Sequence, residues 1–150
     1  MRILIRNFDE LSVYELQAIY KLRVSVFVVE QKCAYQEVDD FDKKATHIWI
    51  EDEGKILGYA RVLPPDTSFE VPAIGRVISV IRGVGIGKII MEAAIKTATD
   101  LYHPSSVMVE AQTYAIGFYE KFGFVKCSDE FLDEGIPHVK MRLDIKGEQE

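Results

Sequence analysis

The chain has 150 residues, of which 48% are hydrophobic, and a formal net charge of −6 at pH 7. This length and apolar content predict one domain over residues 1–150, large enough to bury a core. The acidic balance disfavours a general nucleic-acid binder or a binder of anionic membranes, and it tolerates a cationic substrate. Cys33 and Cys127 lack metal-type spacing, so the sequence indicates neither zinc nor a disulfide scaffold and favours a cytoplasmic protein.

The first third of the chain predicts a strand, a helix and a long loop. Ile3 to Ile5 is a short apolar run that fits an edge strand. Ser12 to Glu15 has the pattern of a capping box, and the helix that it opens should end around residues 28–31. An acidic, irregular segment follows up to Lys44, and long ordered loops of this kind are often functional.

The middle of the chain predicts strands. Residues 46–51 and 55–64 are β-rich runs on either side of Asp52-Glu53-Gly54, and they form an antiparallel hairpin in this interpretation. Residues 73–81 form the next strand, and it leads directly into a glycine-rich loop.

The second half alternates helices and strands. The expected elements are a helix over 89–101, a buried strand over 107–111, a helix over 114–122, a strand over 124–127 and a last antiparallel strand over 137–143, with 146–150 frayed. The whole order predicts an α/β (α+β) fold with a mixed, mostly antiparallel central sheet and helices on both faces.

The glycine loop spans Arg82 to Lys88 and contains three alternating glycines. Glycine permits positive φ and lets a ligand approach the backbone closely. The free amides of a helix N-terminus follow, and Arg82 and Lys88 add positive charge on either side. The loop is therefore predicted to bind a pyrophosphate, and we call residues 82–88 the cradle.

Two better-known phosphate loops do not fit this spacing. A P-loop needs four residues between its first glycine and Gly-Lys, followed by Ser or Thr, whereas three residues separate Gly83 from Gly87 and Ile89 follows Lys88. The dinucleotide fingerprint is one residue longer than Gly83 to Gly87. A glycine-rich helix entry that binds no ligand remains the structural alternative.

A second motif lies about thirty residues further on. Arg82-x-x-Gly85-x-Gly87 is followed by Ala115-x-x-x-Tyr119-Glu120-Lys121-x-Gly123-Phe124, and the pair resembles the GNAT superfamily of acyl-CoA N-acyltransferases. Flanking segments, including 26–31, 74–77 and 131–138, resemble its ElaA-like branch. The resemblance spans residues 22–141. It implies a GNAT-like fold, acetyl-CoA as the acetyl donor and no metal.

The resemblance also implies roles for residues around the glycine loop. The pyrophosphate of CoA would be wrapped by Arg82, Gly83, Val84, Gly85, Ile86, Gly87 and Lys88. The backbone of Val77, Ile78 and Ser79 would pair with the pantetheine arm as an added strand. Gln112 stands where many members have Asn. Five residues separate Arg76 from Arg82, where the family usually has about seven, so the register of the arm is open.

Tyr119 is the expected general acid, because a phenol near the CoA sulfur can protonate the departing thiolate. Its alternative is a core aromatic whose hydroxyl is satisfied elsewhere. The base that deprotonates the acceptor stays undecided among Glu30, His138 and, third, Glu110. Each has a structural alternative: an ion pair for Glu30, a turn contact for His138 and simple strand exposure for Glu110.

Arg61 and Arg76 lie on neighbouring strands, and a buried guanidinium is costly without an anion. They are expected either to pair with Glu30 or with an acid of the 37–42 loop and shape the acceptor pocket, or to bind an acidic acceptor directly. His47 is expected to be structural.

The leading hypothesis is an N-acetyltransferase that moves an acetyl group from acetyl-CoA to a primary amine by direct attack in a ternary complex. The acceptor is a small molecule or a peptide, a homodimer is the default assembly, and nucleic acid and membrane are not expected as partners. The alternatives are a catalytically silent CoA-binding sensor or interaction module, and a nucleotide-binding protein that uses Mg-ATP.

Overall fold

The computed structural model describes residues 1–146, and it contains one sheet of eight strands. The strands are β1 (Arg2–Asn7), β2 (Thr46–Asp52), β3 (Lys55–Leu63), β4 (Ala73–Ser79), β5 (Ser106–Gln112), β6 (Val125–Lys126), β7 (Phe131–Asp133) and β8 (Ile136–Asp144). Their order is β1-β2-β3-β4-β5-β8-β6, and β7 pairs with β8. Within residues 1–146 only the β4–β5 pairing is parallel, which confirms the predicted mixed, mostly antiparallel sheet.

In the described part of the chain three α-helices connect these strands: α1 (Val13–Val24), α2 (Ile86–Tyr102) and α3 (Ile116–Glu120). The predicted capping box opens α1, because Ser12 Oγ accepts from Glu15 N at 3.0 Å and Ser12 N donates to Glu15 Oε1 at 2.8 Å. A π-helical turn, Ser25–Glu30, extends α1. Short 3₁₀ turns cover Phe8–Glu10, Asp40–Lys43 and Thr113–Ala115.

Side chains alternate between the two faces of the sheet, so each face carries its own core. In β2, Ile48 and Ile50 pack with α2, whereas Trp49 packs with Ile19 of α1. The two cores place α2 and α3 on one face and α1 on the other, as the sequence predicted.

Several predicted boundaries were wrong. Helix α2 begins at Ile86 instead of residue 89, so Gly87 and Lys88 belong to its first turn, and β4 ends at Ser79 instead of 81. The sequence did not predict β7, a three-residue strand. Only Ile116–Glu120 of the predicted helix 114–122 is α-helical. The predicted fraying of residues 147–150 lies outside the described residues.

The feature that positions the site is the divergence of β4 from β5. The two strands pair at a single position, Ala73 with Met108, and then separate. Strand β4 also shifts its register against β3 near Arg76, whose φ is +54°, so the strand bends where the gap opens. Within residues 1–146, no helix is long and apolar enough to cross a membrane.

Candidate active site

A cleft of about 820 Å³ occupies the gap between β4 and β5. Its walls come from both strands, from α3, from the acidic loop (residues 31–44) and from the β7–β8 turn. The predicted site residues that line it are Arg61, Arg76, Val77, Ser79, Arg82, Gly87, Gln112, Tyr119 and His138. Ile78 is buried in the core on the α1 face, and the rest of the glycine loop lies beyond the cleft lining.

The glycine loop joins β4 to α2 and takes a shape that L side chains disfavour. Gly83 and Gly85 have φ values of +81° and +77°, and a Cβ built on either would meet no atom within 4 Å. Gly85 caps α2, and its carbonyl accepts the first helical bond from Ile89 N at 3.1 Å. The amides of the first turn have no partner inside the helix. The loop is therefore open and rich in backbone donors.

One close contact holds this helix end in place, and two cations flank it. Ile86 is buried against Gly58 of β3, where an added Cβ would lie 2.7 Å from Ile86 Cγ2. Arg82 lines the cleft, and the exposed Lys88 side chain lies 3.8 Å from Glu92, a separation that leaves its charge largely available. An anionic pyrophosphate fits a loop with free amides, two flanking cations and no Cβ in its path.

Tyr119 enters the cleft from α3. Its ring packs edge-on against Phe118 and Phe124, and the residue is 9% exposed. Within residues 1–146 its hydroxyl makes no hydrogen bond, although it lines the cleft. Burial, with a smaller effect of Tyr114, raises the pKa of Tyr119 well above its ordinary value. The phenol therefore stays protonated and able to donate.

The opposite wall of the cleft is polar. In the β5–β8 register Gln112 lies opposite His138, and Glu110 lies two residues before Gln112 on the same face. His138 Nδ1 donates to the carbonyl of Ile136 at 2.7 Å, and its ring stacks on Phe131. This bond leaves Nε2 as the free nitrogen. His138 and Glu110 are thus both within the cleft.

Glu30 lies elsewhere. It ends the π-helical turn, is exposed and does not line the cleft. Arg61 and Arg76 do not contact it; their anions come from the acidic loop. Of the three candidate bases, the structure brings only His138 and Glu110 to the site.

Arg23 organises the acidic loop, and the sequence did not single it out for this role. It projects from α1, is 0% exposed, and bonds Glu37 and Asp42 with donor–acceptor distances between 2.6 and 3.2 Å. The same carboxylates, together with Asp39, hold the two predicted arginines: Arg61 binds Asp39 and Asp42, and Arg76 binds Glu37 and Asp39. The sequence feature that could have indicated this role is an arginine on a helix face that is otherwise apolar.

This network of Arg23, Arg61, Arg76, Glu37, Asp39 and Asp42 (hereafter the ionic network) balances three cations with three anions. Burial opposes ionisation of Asp42, but Arg23 and Arg61 outweigh it and hold the pKa of Asp42 below its ordinary value. The acidic loop therefore does not present the negative field that its composition suggested.

His47 lies beside the ionic network and is fully buried. Its Nε2 donates to the carbonyl of Asp42 at 2.9 Å, and its Nδ1 accepts from the hydroxyl of Tyr59 at 2.6 Å. Burial lowers the pKa of His47, which favours the neutral ring. These contacts fit the predicted structural role.

Comparisons with known proteins agree with this geometry. Residues 10–145 match the family model described as an acetyltransferase (GNAT) domain. A UPF0039 protein of Schizosaccharomyces pombe is 43% identical over 144 residues, which cover 93% of this chain and 95% of the relative. Protein ElaA of Escherichia coli is 38% identical, with 93% and 94% covered.

The same relationship holds among solved structures. A crystal structure of an acyl-CoA N-acyltransferase from Pseudomonas aeruginosa superposes with a TM-score of 0.88 at 36% identity, covering 95% of this chain and 99% of the other. Family model, sequence and three-dimensional structure agree over nearly the whole chain. The chain therefore belongs to the GNAT acetyltransferase family, in the branch that includes ElaA and the UPF0039 proteins, and is an acyltransferase.

Proposed function

We propose that this protein transfers an acetyl group from acetyl-CoA to a primary amine, carried by a small molecule or a peptide, by direct attack in a ternary complex. The observation that carries the proposal is the gap between β4 and β5, with Arg82 and Gly87 of the glycine loop and Tyr119 of α3 among the residues that line it.

The residues that would bind the acetyl donor belong to the glycine loop and to β4. The amides of residues 83–88, with Arg82 and Lys88, would hold the CoA pyrophosphate. Strand β4 leaves its edge unpaired after Ala73, so Val77, Ile78 and Ser79 can offer backbone groups to the pantetheine arm. Gln112 lies across the gap on β5. Acetyl-CoA supplies an activated thioester when bound.

The protein contributes a proton donor and an ordered acceptor pocket. Tyr119 would protonate the departing thiolate, since its raised pKa keeps the phenol protonated and its hydroxyl makes no hydrogen bond within residues 1–146. The ionic network fixes the acidic loop as one wall of the acceptor pocket, which makes Arg61 and Arg76 shaping residues. Their charges are met within the protein, so direct binding of an acidic acceptor is the weaker of the two expectations.

The test is calorimetric titration of acetyl-CoA and, separately, Mg-ATP into the wild type and Gly85→Asp. The substitution adds a side chain and a negative charge at the cradle, so we expect it to abolish acetyl-CoA binding. Gly54→Asp is the matched control, because Gly54 has φ +75° and open space in the β2–β3 turn, away from the cleft.

The titration distinguishes acetyl-CoA binding at the glycine loop from a nucleotide site and from a protein that binds no acetyl-CoA. Acetyl-CoA binding that Gly85→Asp loses and Gly54→Asp retains supports the proposal. Binding of Mg-ATP without acetyl-CoA favours a nucleotide site. Failure of the folded wild type to bind acetyl-CoA overturns the proposal.

A screen of primary amines then separates enzyme from sensor, and Tyr119 sharing a cleft with His138 and Glu110 favours the enzyme. Direct attack requires intersecting initial-velocity lines in two-substrate kinetics, whereas parallel lines indicate a ping-pong route through a protein nucleophile.

A further inference from the structure

The charges left unbalanced in the cleft lie on its β5–β8 side. Asp39, Arg61 and Arg76 are matched within the ionic network, and Arg82 belongs to the donor side. Glu110, Asp133 and Glu134 also line the cleft, and none of them forms a salt bridge in the part of the chain that the structure describes. A cation that enters the acceptor side would therefore meet carboxylates outside the ionic network, although Lys140 of β8 lies directly opposite Glu110.

The strand register brings two of these carboxylates, Glu110 and Asp133, to one face. Glu110 shares the face of β5 that carries Gln112, and His138 of β8 lies opposite Gln112. Asp133 of β7 pairs with Ile136, two residues before His138, so its side chain is on the same face. The charged and titratable groups that face Glu110 are Asp133 from β7 and His138 and Lys140 from β8.

The protonation balance of Glu110 is consistent with this placement. Partial burial and the nearby Asp133 carboxylate raise the pKa of Glu110, and His138 and Lys140 oppose the shift more weakly. A carboxylate with a raised pKa is a better proton acceptor near neutral pH than an ordinary glutamate.

A separate observation points to a reacting ligand between the two walls. Tyr119, which is 9% exposed, lines the same cleft, and its hydroxyl has no hydrogen-bond partner within the described residues. Tyr119 belongs to the core on the α2 face, whereas Glu110 lies on the face opposite Val109 and Ala111 of that core. A proton donor and a proton acceptor thus approach the gap from opposite faces of the sheet.

We propose, on the basis of the proposed function, that Glu110 is the general base that takes the proton of the acceptor's ammonium group, and that Asp133, on the same face of the sheet, is a positioning residue that acts through Glu110. The acceptor accordingly enters as a cationic amine. Its charge and that of Glu110 cancel when the proton moves, so the transfer leaves no separated charges in the cleft.

The proton and bond balance of the reaction is complete with these groups. Glu110 takes one proton from the ammonium, and the nitrogen then bonds to the acetyl carbon as the bond from that carbon to sulfur breaks. Tyr119 gives its proton to the sulfur and recovers one from the nitrogen, which is left as an amide. Glu110 releases its proton to water.

The kinetic test compares Glu110→Gln, Asp133→Asn and His138→Gln across pH, with the best amine from the screen and acetyl-CoA. Glu110→Gln should lower kcat/KM by about 10² to 10⁴-fold with acetyl-CoA affinity unchanged. Asp133→Asn removes the charge that raises the pKa of Glu110, so the acid limb of the pH profile should move to lower pH. Glu130→Gln, an exposed carboxylate outside the cleft lining, is the control.

His138 is the rival base, and the same experiment separates the two. If Glu110 is the base, His138→Gln retains the acid limb. Loss of that limb in His138→Gln, with a normal limb in Glu110→Gln, overturns the proposal. Wild-type kinetics in Glu110→Gln would also overturn the proposal. Retained acetyl-CoA binding would show that the proposed function stands although the base is a different residue.

A second measurement does not depend on turnover. Side-chain carboxyl NMR can follow Glu110 through a pH titration of the free protein, and we expect a raised pKa that falls in Asp133→Asn. A Glu110 carboxyl with an ordinary pKa that Asp133→Asn leaves unchanged overturns the proposal, whether or not any amine is turned over.

Discussion

Tyr119 belongs to the hydrophobic core and is also the proton donor of the proposed reaction. Its ring packs with Phe118 and Phe124, and a buried aromatic of this kind normally satisfies its hydroxyl with a nearby acceptor. Here the hydroxyl has no partner among the described residues and lines the cleft instead. A proton donor kept free in this way is available to a leaving group.

Tyr119→Phe tests this at the scale of one atom. We expect kcat to fall by about 10² to 10⁴-fold while acetyl-CoA affinity stays at the wild-type value, because the ring packing is retained and only the proton donor is lost. Because its pKa is raised, the wild-type acid should not produce a basic limb near pH 8. Steady-state kinetics across pH and calorimetry measure both effects; an unchanged kcat would reduce Tyr119 to a core aromatic.

At the scale of single residues, the sequence predicts which residues form the site but not the surroundings of each side chain. The spacing from Arg82 to Tyr119 predicts that both belong to one motif, and both do line one cleft. Whether a hydroxyl is free, or whether Glu30 faces the cleft, depends on contacts between residues distant in the chain. Glu30 and Glu110 are indistinguishable by residue type, and only the fold separates them.

Among the elements, the acidic loop depends on a single buried arginine. Arg23 bonds two carboxylates of the loop and reaches them from α1. The sequence predicted a long functional loop and acids near Arg61 and Arg76. It could not predict that the acids would be buried, because charged loops are usually solvated and the partners lie 14 to 39 residues apart.

Arg23→Met should detach this loop. Removing one partner of a buried ion pair leaves Asp42 and Glu37 uncompensated, so the free energy of unfolding should fall by about 3–5 kcal/mol. Arg2→Met is the control, since the Arg2–Glu51 pair is exposed and should contribute at most about 1 kcal/mol. Urea denaturation measures both, and equal effects would contradict the assignment.

The pH dependence of the same variant has a definite sign. In the wild-type protein Arg23 and Arg61 outweigh burial and lower the pKa of Asp42. The stabilisation that these ion pairs give the folded state is therefore present above the ordinary Asp pKa of about 3.9, and it is lost as pH falls through the lowered value. Without Arg23, burial raises the pKa of Asp42, so the carboxyl protonates earlier. The stability difference between wild type and variant should therefore narrow as the solution is acidified.

The start of α2 depends on close packing against β3. A Cβ at Gly58 would lie 2.7 Å from Ile86 Cγ2 and 3.2 Å from the carbonyl oxygen of Ile78. Gly58→Ala should cost about 1–3 kcal/mol and weaken acetyl-CoA binding, because the displaced helix end carries the cradle. Gly75→Ala, which has open space in β4, should leave thermal stability nearly unchanged; equal losses would show that this contact is unimportant.

Over the whole molecule, one sheet is divided into two arms that join at Ala73 and Met108. The β1–β4 arm carries the donor edge and the glycine loop, and the β5–β8 arm carries Glu110 and His138. The order of elements predicted the sheet and the helices on both of its faces. It did not predict the bend at Arg76, since a positive φ in a non-glycine strand residue is set by the surrounding fold.

This division leads to a prediction for the bound state. If the pantetheine arm adds to β4, acetyl-CoA should slow amide hydrogen exchange at residues 77–79 as well as at 83–88, because free backbone groups gain partners at both places. Amides of Ile48 to Ile50, already paired on both sides within the sheet, serve as the internal control. Protection confined to residues 83–88 would place the pantetheine arm away from β4. The short connection from Arg76 to Arg82 would then have shifted the register of the pantetheine arm. Protection at both places would instead indicate that the bend at Arg76 compensates for the shorter loop.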